Sequence, residues 1–321
     1  MKLALLGTGM IVKEVLPVLT EVEGIDLVGI LSTPRSIETA RDLAVKYGMS
    51  LATSDFEEIL QHPEIDTVYV GTPNHTHFDY AKAALLAGKH VICEKPFTLN
   101  LAEFKELRAL AEERQLFLLE AITNQYLGNF TYLKENLPQL GQLKIVSCNY
   151  SQYSSRYDAF KRGEIAPAFD PKKGGGALRD LNIYNIHLLV GLFGKPNQVT
   201  YLPNIERGVD TSGILVLDYG NFKATSIAAK DCSADIRSTI QGDEGSLTIL
   251  GPTNSLPQVS LKLNGQEEIS GDYNSPHHRM YEEFVAFETI LSQQDKTALK
   301  AALDQSQLVM EVLEEAVTSM G

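Results

Sequence analysis

The sequence predicts two halves of different class, a doubly wound parallel α/β half over residues 1–121 and an α+β half over residues 122–321. Three observations predict it. A chain of 321 residues exceeds the roughly 150 that one hydrophobic core usually serves. Up to Glu120, short β-branched apolar runs alternate with longer amphipathic stretches, the pattern of right-handed βαβ units. Beyond Ala121 the runs alternate apolar with polar residues and are punctuated by Gly-Asn and Gly-Asp turns, the pattern of antiparallel pairing.

In the first half, strands are expected at residues 3–6, 27–31, 67–70, 90–93 and 117–120, with a weaker one at 50–52. Helices are expected at 36–46, 56–61, 77–87 and 102–114. A further helix opens the chain after the first strand. Pro17 lies inside it, and because proline lacks a backbone donor, a kink or an early end is expected there. In the second half the strands are 144–150, 214–218, 223–229, 233–241, 246–250 and 258–263. Its long helices are 177–193, stopped by Gly194 with Pro196 beyond, then 278–291 and 297–319. Residues 151–176 read as a long irregular segment, and such a segment inside a compact domain points to function.

Hydrophobic residues at 44% and charged residues at 21% describe a soluble globular chain. With 28 basic against 41 acidic residues the net charge is −13, which repels nucleic acid and anionic membranes, so neither is expected as a partner. Cys93, Cys148 and Cys232 form no CxxC pair, which excludes a disulfide scaffold and a zinc knuckle. No apolar run is long enough for a membrane span, and residues 3–6 are too few for a signal-peptide core, so a cytoplasmic location is expected.

Gly7-Thr8-Gly9 follows the first strand and opens a helix. In that context the first glycine makes the turn, and the second lets the backbone approach a dinucleotide pyrophosphate at the helix N-terminus. Val12 takes the third position, where glycine or alanine is usual. At the end of the second strand, Leu31-Ser32-Thr33-Pro34-Arg35 lacks the carboxylate that binds the ribose of NAD. Ser32 and Thr33 can donate to a 2′-phosphate and Arg35 can pair with it, so the expected cofactor is NADP rather than NAD.

Further stretches carry a resemblance. Gly71-Thr72-Pro73-Asn74-His75-Thr76-His77 follows the fourth strand, Cys93-Glu94-Lys95-Pro96 the fifth, and Gly174-Gly175-Gly176-Ala177-Leu178-Arg179-Asp180-Leu181-Asn182-Ile183-Tyr184 opens the second half's first long helix. With Gly7-Thr8-Gly9-Met10-Ile11, these resemble the glucose-fructose oxidoreductase, inositol dehydrogenase and rhizopine-catabolism (Gfo/Idh/MocA) family along the whole chain. The resemblance implies a Rossmann domain for residues 1–121. For residues 122–321 it implies a substrate-binding and oligomerising domain built on a large, mainly antiparallel open sheet. It also implies NAD(P)-dependent hydride transfer on sugars, polyols or related carbonyls, and a homo-oligomer, a dimer, formed through the open sheet face.

Residue by residue, Glu94 and Lys95 match the family's Glu-Lys-Pro motif, in which the lysine reaches both the substrate oxygen and the nicotinamide ribose. Asp180 matches the aspartate of its second motif, and Tyr184 stands where many members have histidine, as in the branch resembling glucose-fructose oxidoreductase and dimeric dihydrodiol dehydrogenase. Asn182 replaces a common glycine, and Asn124-Gln125-Tyr126 replaces a stretch that often contains arginine, which leaves the substrate open.

Alcohol oxidation needs a base for the hydroxyl proton and a nicotinamide aligned with the carbinol carbon. On an unbroken helix Asp180, Tyr184 and His187 fall at i, i+4 and i+7, one stripe. A cation about 4 Å away is worth ~4 kcal/mol at an effective dielectric of ~20, enough to bring a phenol toward use as a base. Lys95 can supply that cation, so Lys95, Tyr184 and Asp180 are the expected catalytic residues. His187 is either a substrate contact or a core histidine. Thr72, Pro73, Asn74 and His77 are expected to line the cofactor cleft. His75 and His77 have no carboxylate or cysteine to complete a metal site, so no metal is expected. Residues 151–176 combine a basic excess with Tyr153, Tyr157 and Phe160, which suggests a segment that covers the substrate, the alternative being a solvated loop. Two other readings stay on the same fold: a non-catalytic NADP-binding sensor, and a different reaction such as redox-assisted elimination or tetrapyrrole reduction.

Overall fold

The computed structural model describes residues 1–320. They form two compact units, one of Met1–Ala121 with Met280–Gln307, the other of Ile122–Arg279 with the chain from Leu308 on.

The first unit is built on six parallel strands, β1 (Lys2–Leu6), β2 (Asp26–Leu31), β3 (Leu51–Thr53), β4 (Thr67–Val70), β5 (His90–Glu94) and β6 (Leu118–Ala121), in the order β3-β2-β1-β4-β5-β6. Leu3 to Leu6 of β1 and all of β4 are buried, as strands covered on both faces must be. Helices α1 (Met10–Leu19), α2 (Ile37–Tyr47), α3 (Phe56–Gln61), α4 (His77–Leu86) and α5 (Leu101–Arg114) make the crossovers. Helix α1 ends two residues past Pro17, the early end its missing donor predicts. Asn100 caps α5 by accepting the Glu103 N–H at 2.9 Å.

In the second unit, α6 (Gly128–Asn136) precedes β7 (Leu143–Ser151), and α7 (Tyr157–Lys161) lies in the segment expected to be irregular. Helix α8 (Ile183–Phe193) is followed by β8 (Gln198–Glu206), β9 (Val209–Asp218), β10 (Lys223–Ala229), β11 (Arg237–Gly242), β12 (Gly245–Leu250), β13 (Val259–Leu263) and β14 (Ile269–Gly271). The sheet order is β14-β13-β12-β11-β7-β10-β9-β8, antiparallel throughout except that β10 runs parallel to β7. One face is core, with Val146, Leu215, Leu217, Ala224, Ile240 and Leu247 buried and α8 packed over β7. On the other, Val216, Thr225, Ser147, Thr239 and Thr248 stand side by side across five strands. Ile145, Leu202 and Ile214 are exposed.

Helices α9 (Tyr281–Ser292) and α10 (Lys296–Thr318) correct the domain boundary expected from the sequence. Met280–Gln307 return to the first unit because α9 supplies apolar side chains that its sheet needs. Phe284 and Phe287 are fully buried, Phe284 edge-on to Tyr69 of β4 at 5.8 Å, and Arg108 of α5 pairs with Asp304 at 2.7 Å. Among the described residues no helix is long and apolar enough to cross a membrane.

Candidate active site

In the first unit three loops leave adjacent parallel strands at the same edge of the sheet, Gly7–Gly9 after β1, Gly71–Thr76 after β4 and Lys95–Pro96 after β5. The order of the strands reverses between β1 and β4, where α/β sheets open a crevice at the carboxyl ends of their strands. Gly7 has φ +113°, and a Cβ there would meet the Gly71 carbonyl oxygen at 2.8 Å. Gly9 is the N-cap of α1 and has nothing within 4 Å of where its Cβ would be, which leaves room beside the helix N-terminus. Val12, the departure from the fingerprint, has its counterpart at Gly71. A Cβ on Gly71 would lie 2.8 Å from Val12 Cγ2 and 2.9 Å from Tyr69 Cε1. The close helix–strand packing that a glycine usually permits on the helix is here permitted by a glycine on the strand side.

After β2, Ser32 is buried and its hydroxyl donates to the Thr33 carbonyl at 3.1 Å, while the Thr33 and Ser36 hydroxyls lie 3.0 Å apart. Arg35 is exposed, and among the described residues it forms no ion pair, so its guanidinium is available to an anion. Thr72 Oγ1 accepts from Thr76 at 2.8 Å. Pro73 and Asn74 carry the loop into a short turn over Asn74–Thr76. His77 is fully buried, its ring nitrogens 2.9 Å from the Thr72 carbonyl and 3.0 Å from that of Pro96. Burial pushes its pKa down. The imidazole therefore ties the loops after β4 and β5 together. Glu94 accepts the Tyr69 hydroxyl at 2.5 Å, and burial first, then the Glu94 charge, push that phenol well above its ordinary value. Lys95 is half-buried, and its bond to Pro96 is cis. The open Gly9, the acid-free end of β2 and the exposed Arg35 fit a dinucleotide with a 2′-phosphate.

In the second unit the expected helix 177–193 is broken. Leu178–Asn182 form a π-helical turn and α8 starts at Ile183, so Asp180, Tyr184 and His187 do not share a regular α-helical stripe. The turn is held at its base. A Cβ on Gly176, at φ +118°, would overlap Asp210 Oδ1, and the Leu178 N–H donates to Asp210 Oδ2 at 2.7 Å. Asp210 also accepts the Tyr201 hydroxyl at 2.8 Å, and burial raises its pKa. Asn182, where the family often has glycine, is fully buried, accepts from the Ser226 hydroxyl and from Asn185 Nδ2, and donates to the Ser226 carbonyl.

The Asp180 side chain is 36% exposed and Oδ2 accepts from Lys230 Nζ at 2.7 Å. Tyr184 is half-buried, its ring 6.2 Å from that of Tyr150. His187 is fully buried on the inner side of α8, and its carbonyl accepts from Gln125 at 3.0 Å. Asn124, in the stretch that departs from the family, donates to the Tyr184 carbonyl at 2.8 Å and fixes the backbone beneath the tyrosine. Among the described residues no group of three His, Cys, Asp or Glu is placed to hold a metal.

The segment 151–176 differs from the irregular substrate cover that its aromatics suggest. Phe160 and Phe169 are fully buried, stacked at 4.8 Å, and form a small core with Val209, against which Tyr157 packs. Tyr157 donates to Glu206 at 2.7 Å, which with burial pushes its phenol up to about 12. These rings are therefore occupied by packing. The sequence gives no sign of Lys230, because a lysine after a strand and before Asp231 reads as a solvated turn, nor of the contact of Asp210 with the glycine run.

Comparison with known proteins agrees with the resemblance. Residues 1–121 match the GFO/IDH/MocA family described as "Oxidoreductase family, NAD-binding Rossmann fold", and residues 138–248 match its C-terminal domain. The chain is 31% identical over 323 residues to scyllo-inositol 2-dehydrogenase (NADP(+)) IolU of Bacillus subtilis, covering 100% of this chain and 97% of the relative. It is 27% identical to trans-1,2-dihydrobenzene-1,2-diol dehydrogenase of Mus musculus, covering 99% and 96%. The crystal structure of KijD10, a 3-ketoreductase from Actinomadura kijaniata in complex with NADP, superposes with a TM-score of 0.82 at 18% identity, covering 99% and 97%.

Proposed function

The chain belongs to the GFO/IDH/MocA family of oxidoreductases, and from that premise we propose that it transfers a hydride between NADP and a polyol, sugar-like or diol/carbonyl substrate. The observation that carries the cofactor reading is the acid-free end of β2, where exposed Arg35 stands beside the turn of Thr33 and Ser36. Two relatives named as dehydrogenases of an inositol and of a cyclic diol support the substrate class.

NADP, when bound, supplies the hydride acceptor or donor. In this reading Gly7, Thr8, Gly9, Met10 and Ile11 hold its pyrophosphate, and Ser32, Thr33 and Arg35 its 2′-phosphate. Thr72, Pro73 and Asn74 line its cleft, with Glu94 and Lys95. His77 holds the loops in place. Tyr184 takes the hydroxyl proton in oxidation and returns it in reduction, Lys95 is the cation that makes the phenol usable, and Asp180 orients them. The burial of His187 favours a supporting role in the core over a substrate contact.

The same reading includes a homodimer formed through the open face of the eight-stranded sheet, and a cytoplasmic location, where the exposed thiol of Cys232 stays reduced. Light scattering that gives the 35.4 kDa of one chain at micromolar concentration overturns the dimer. The function is tested by NADP⁺ reduction with scyllo-inositol, other polyols and trans-diols, and by NADPH oxidation with aldoses, ketoses, osones and dicarbonyls. Turnover with NADP(H) above that with NAD(H) on one of these is expected. None on any, or a preference for NAD(H), contradicts the reading.

A further inference from the structure

Lys230 leaves the sheet directly after β10 and is only 2% exposed. Its Nζ donates to the Ala168 carbonyl at 2.5 Å and to Asp180 Oδ2 at 2.7 Å, and lies 4.4 Å from the centre of the Phe169 ring. A buried ammonium is tolerated only where such partners replace water. Each of these partners is itself fixed. Ala168 and Phe169 belong to the short turn Pro167–Phe169, anchored by the stacked and buried Phe160 and Phe169. From the opposite side, the Lys230 backbone N–H donates to the Thr211 carbonyl at 2.8 Å. The ammonium is thus clamped between a strand end and an aromatic core, while the carboxylate it holds keeps part of its surface open.

We propose that Lys230 is a positioning residue for the reaction, holding the Asp180 carboxylate in place with the 151–176 segment as its rigid backing. This rests on Asp180 serving the chemistry as proposed above. The segment then contributes through packing at a distance from the substrate. Other charged or titratable groups surround the pair. Arg179 precedes Asp180 in the π turn, and Asp210 binds the turn's Leu178 N–H. Asp231 follows Lys230 and accepts the Thr211 and Ser212 hydroxyls. Asp170 meets Gly175 through its backbone, and Tyr184 lies in α8. All of these remain when Lys230 alone is replaced, so a change in pH dependence reports on the lysine.

The test is kcat and KM across pH for wild type, Lys230→Met, Lys230→Arg and Asp180→Asn, with NADP⁺ and scyllo-inositol or whichever compound of the panel turns over. Loss of an opposite charge at this distance moves a carboxylate's titration upward by about 1–3 pH units. In Lys230→Met the acidic limb of kcat is therefore expected to move up by that amount, with activity partly returning at higher pH and KM little changed. Lys230→Arg keeps the charge but, being planar, cannot satisfy both short contacts from one place, so it should keep the limb and lose roughly tenfold in kcat. A uniform loss at every pH with an unmoved limb makes Lys230 structural and overturns the proposal. If Lys230→Met does not fold, Lys230→Arg decides, since an unchanged kcat there contradicts positioning. Asp180→Asn separates the two readings. Near-native turnover in that variant removes Asp180 from the chemistry, whereas loss there with an unmoved limb in Lys230→Met overturns only the role of Lys230.

Discussion

The two units support their candidate residues in opposite ways. In the first, Gly7, Thr72 and Lys95 each stand within two residues of a strand end, and parallel strands bring them to one edge of the sheet. In the second, Asp180 sits in a turn held by Asp210, 32 residues beyond Leu178, and by Lys230, 50 residues beyond Asp180 itself. The first arrangement needs only local turn chemistry and a regular sheet. The second needs a turn, a sheet and a small aromatic core to agree, so its precision depends on packing well away from the candidate residues.

Replacements in the two regions should therefore fail differently. The largest effect is expected from Phe169→Ala, which empties a fully buried ring site and should cost about 3–5 kcal/mol in denaturant unfolding. The same variant should lower kcat more than it raises KM. A raised KM with unchanged stability instead makes the ring a substrate platform and erases the contrast between the units. In the first unit, Arg35→Asp should weaken NADPH by about 1.5–3 kcal/mol in titration, the worth of a charged hydrogen bond, and leave NADH nearly unchanged. Equal losses for both cofactors would remove the 2′-phosphate from the account.

A smaller effect, about 1–3 kcal/mol, is expected from Gly71→Ala, whose added Cβ presses on Val12 and Tyr69. Val12→Ala should recover part of it, because the crowding atom is Val12 Cγ2. Independent, additive losses would mean that the two positions do not share one packing site. The smallest concerns His77. Burial lowers its folded pKa, so its unfolded form binds the proton first, and stability is full above the unfolded value of roughly 6.5 and declines as pH falls below it. His77→Gln should flatten that decline in unfolding measured from neutral to acidic pH, and an unaltered slope would assign it to other groups.

The same contrast explains what the sequence could tell. The parallel strands, the glycine loop and the acid-free end of β2 are legible because each is written within a few consecutive residues and a period of two or 3.6. Strands β8 and β14 and helices α6 and α7 have no counterpart in the elements the sequence predicts. In β8, Leu202 and Ile205 face outward and break the alternation that marks a strand, while α6 begins at a glycine. The π turn reads as plain α-helix, because Asp210, which accepts the turn's Leu178 N–H and leaves no room for a Cβ on Gly176, lies far off in sequence on β9. The aromatics of 151–176 were recognised as important, yet composition cannot distinguish a ring offered to a sugar from one stacked on its neighbour.

If Lys95 and Tyr184 act as one unit in hydride transfer, as proposed, a double-mutant cycle on turnover shows it. Lys95→Met should abolish turnover while leaving most NADPH binding, and Tyr184→Phe should lose about 10²–10⁴-fold with little change in melting temperature. The double variant should be scarcely worse than the worse single one. Near-native turnover in Tyr184→Phe, or losses that multiply in the double variant, would contradict the account.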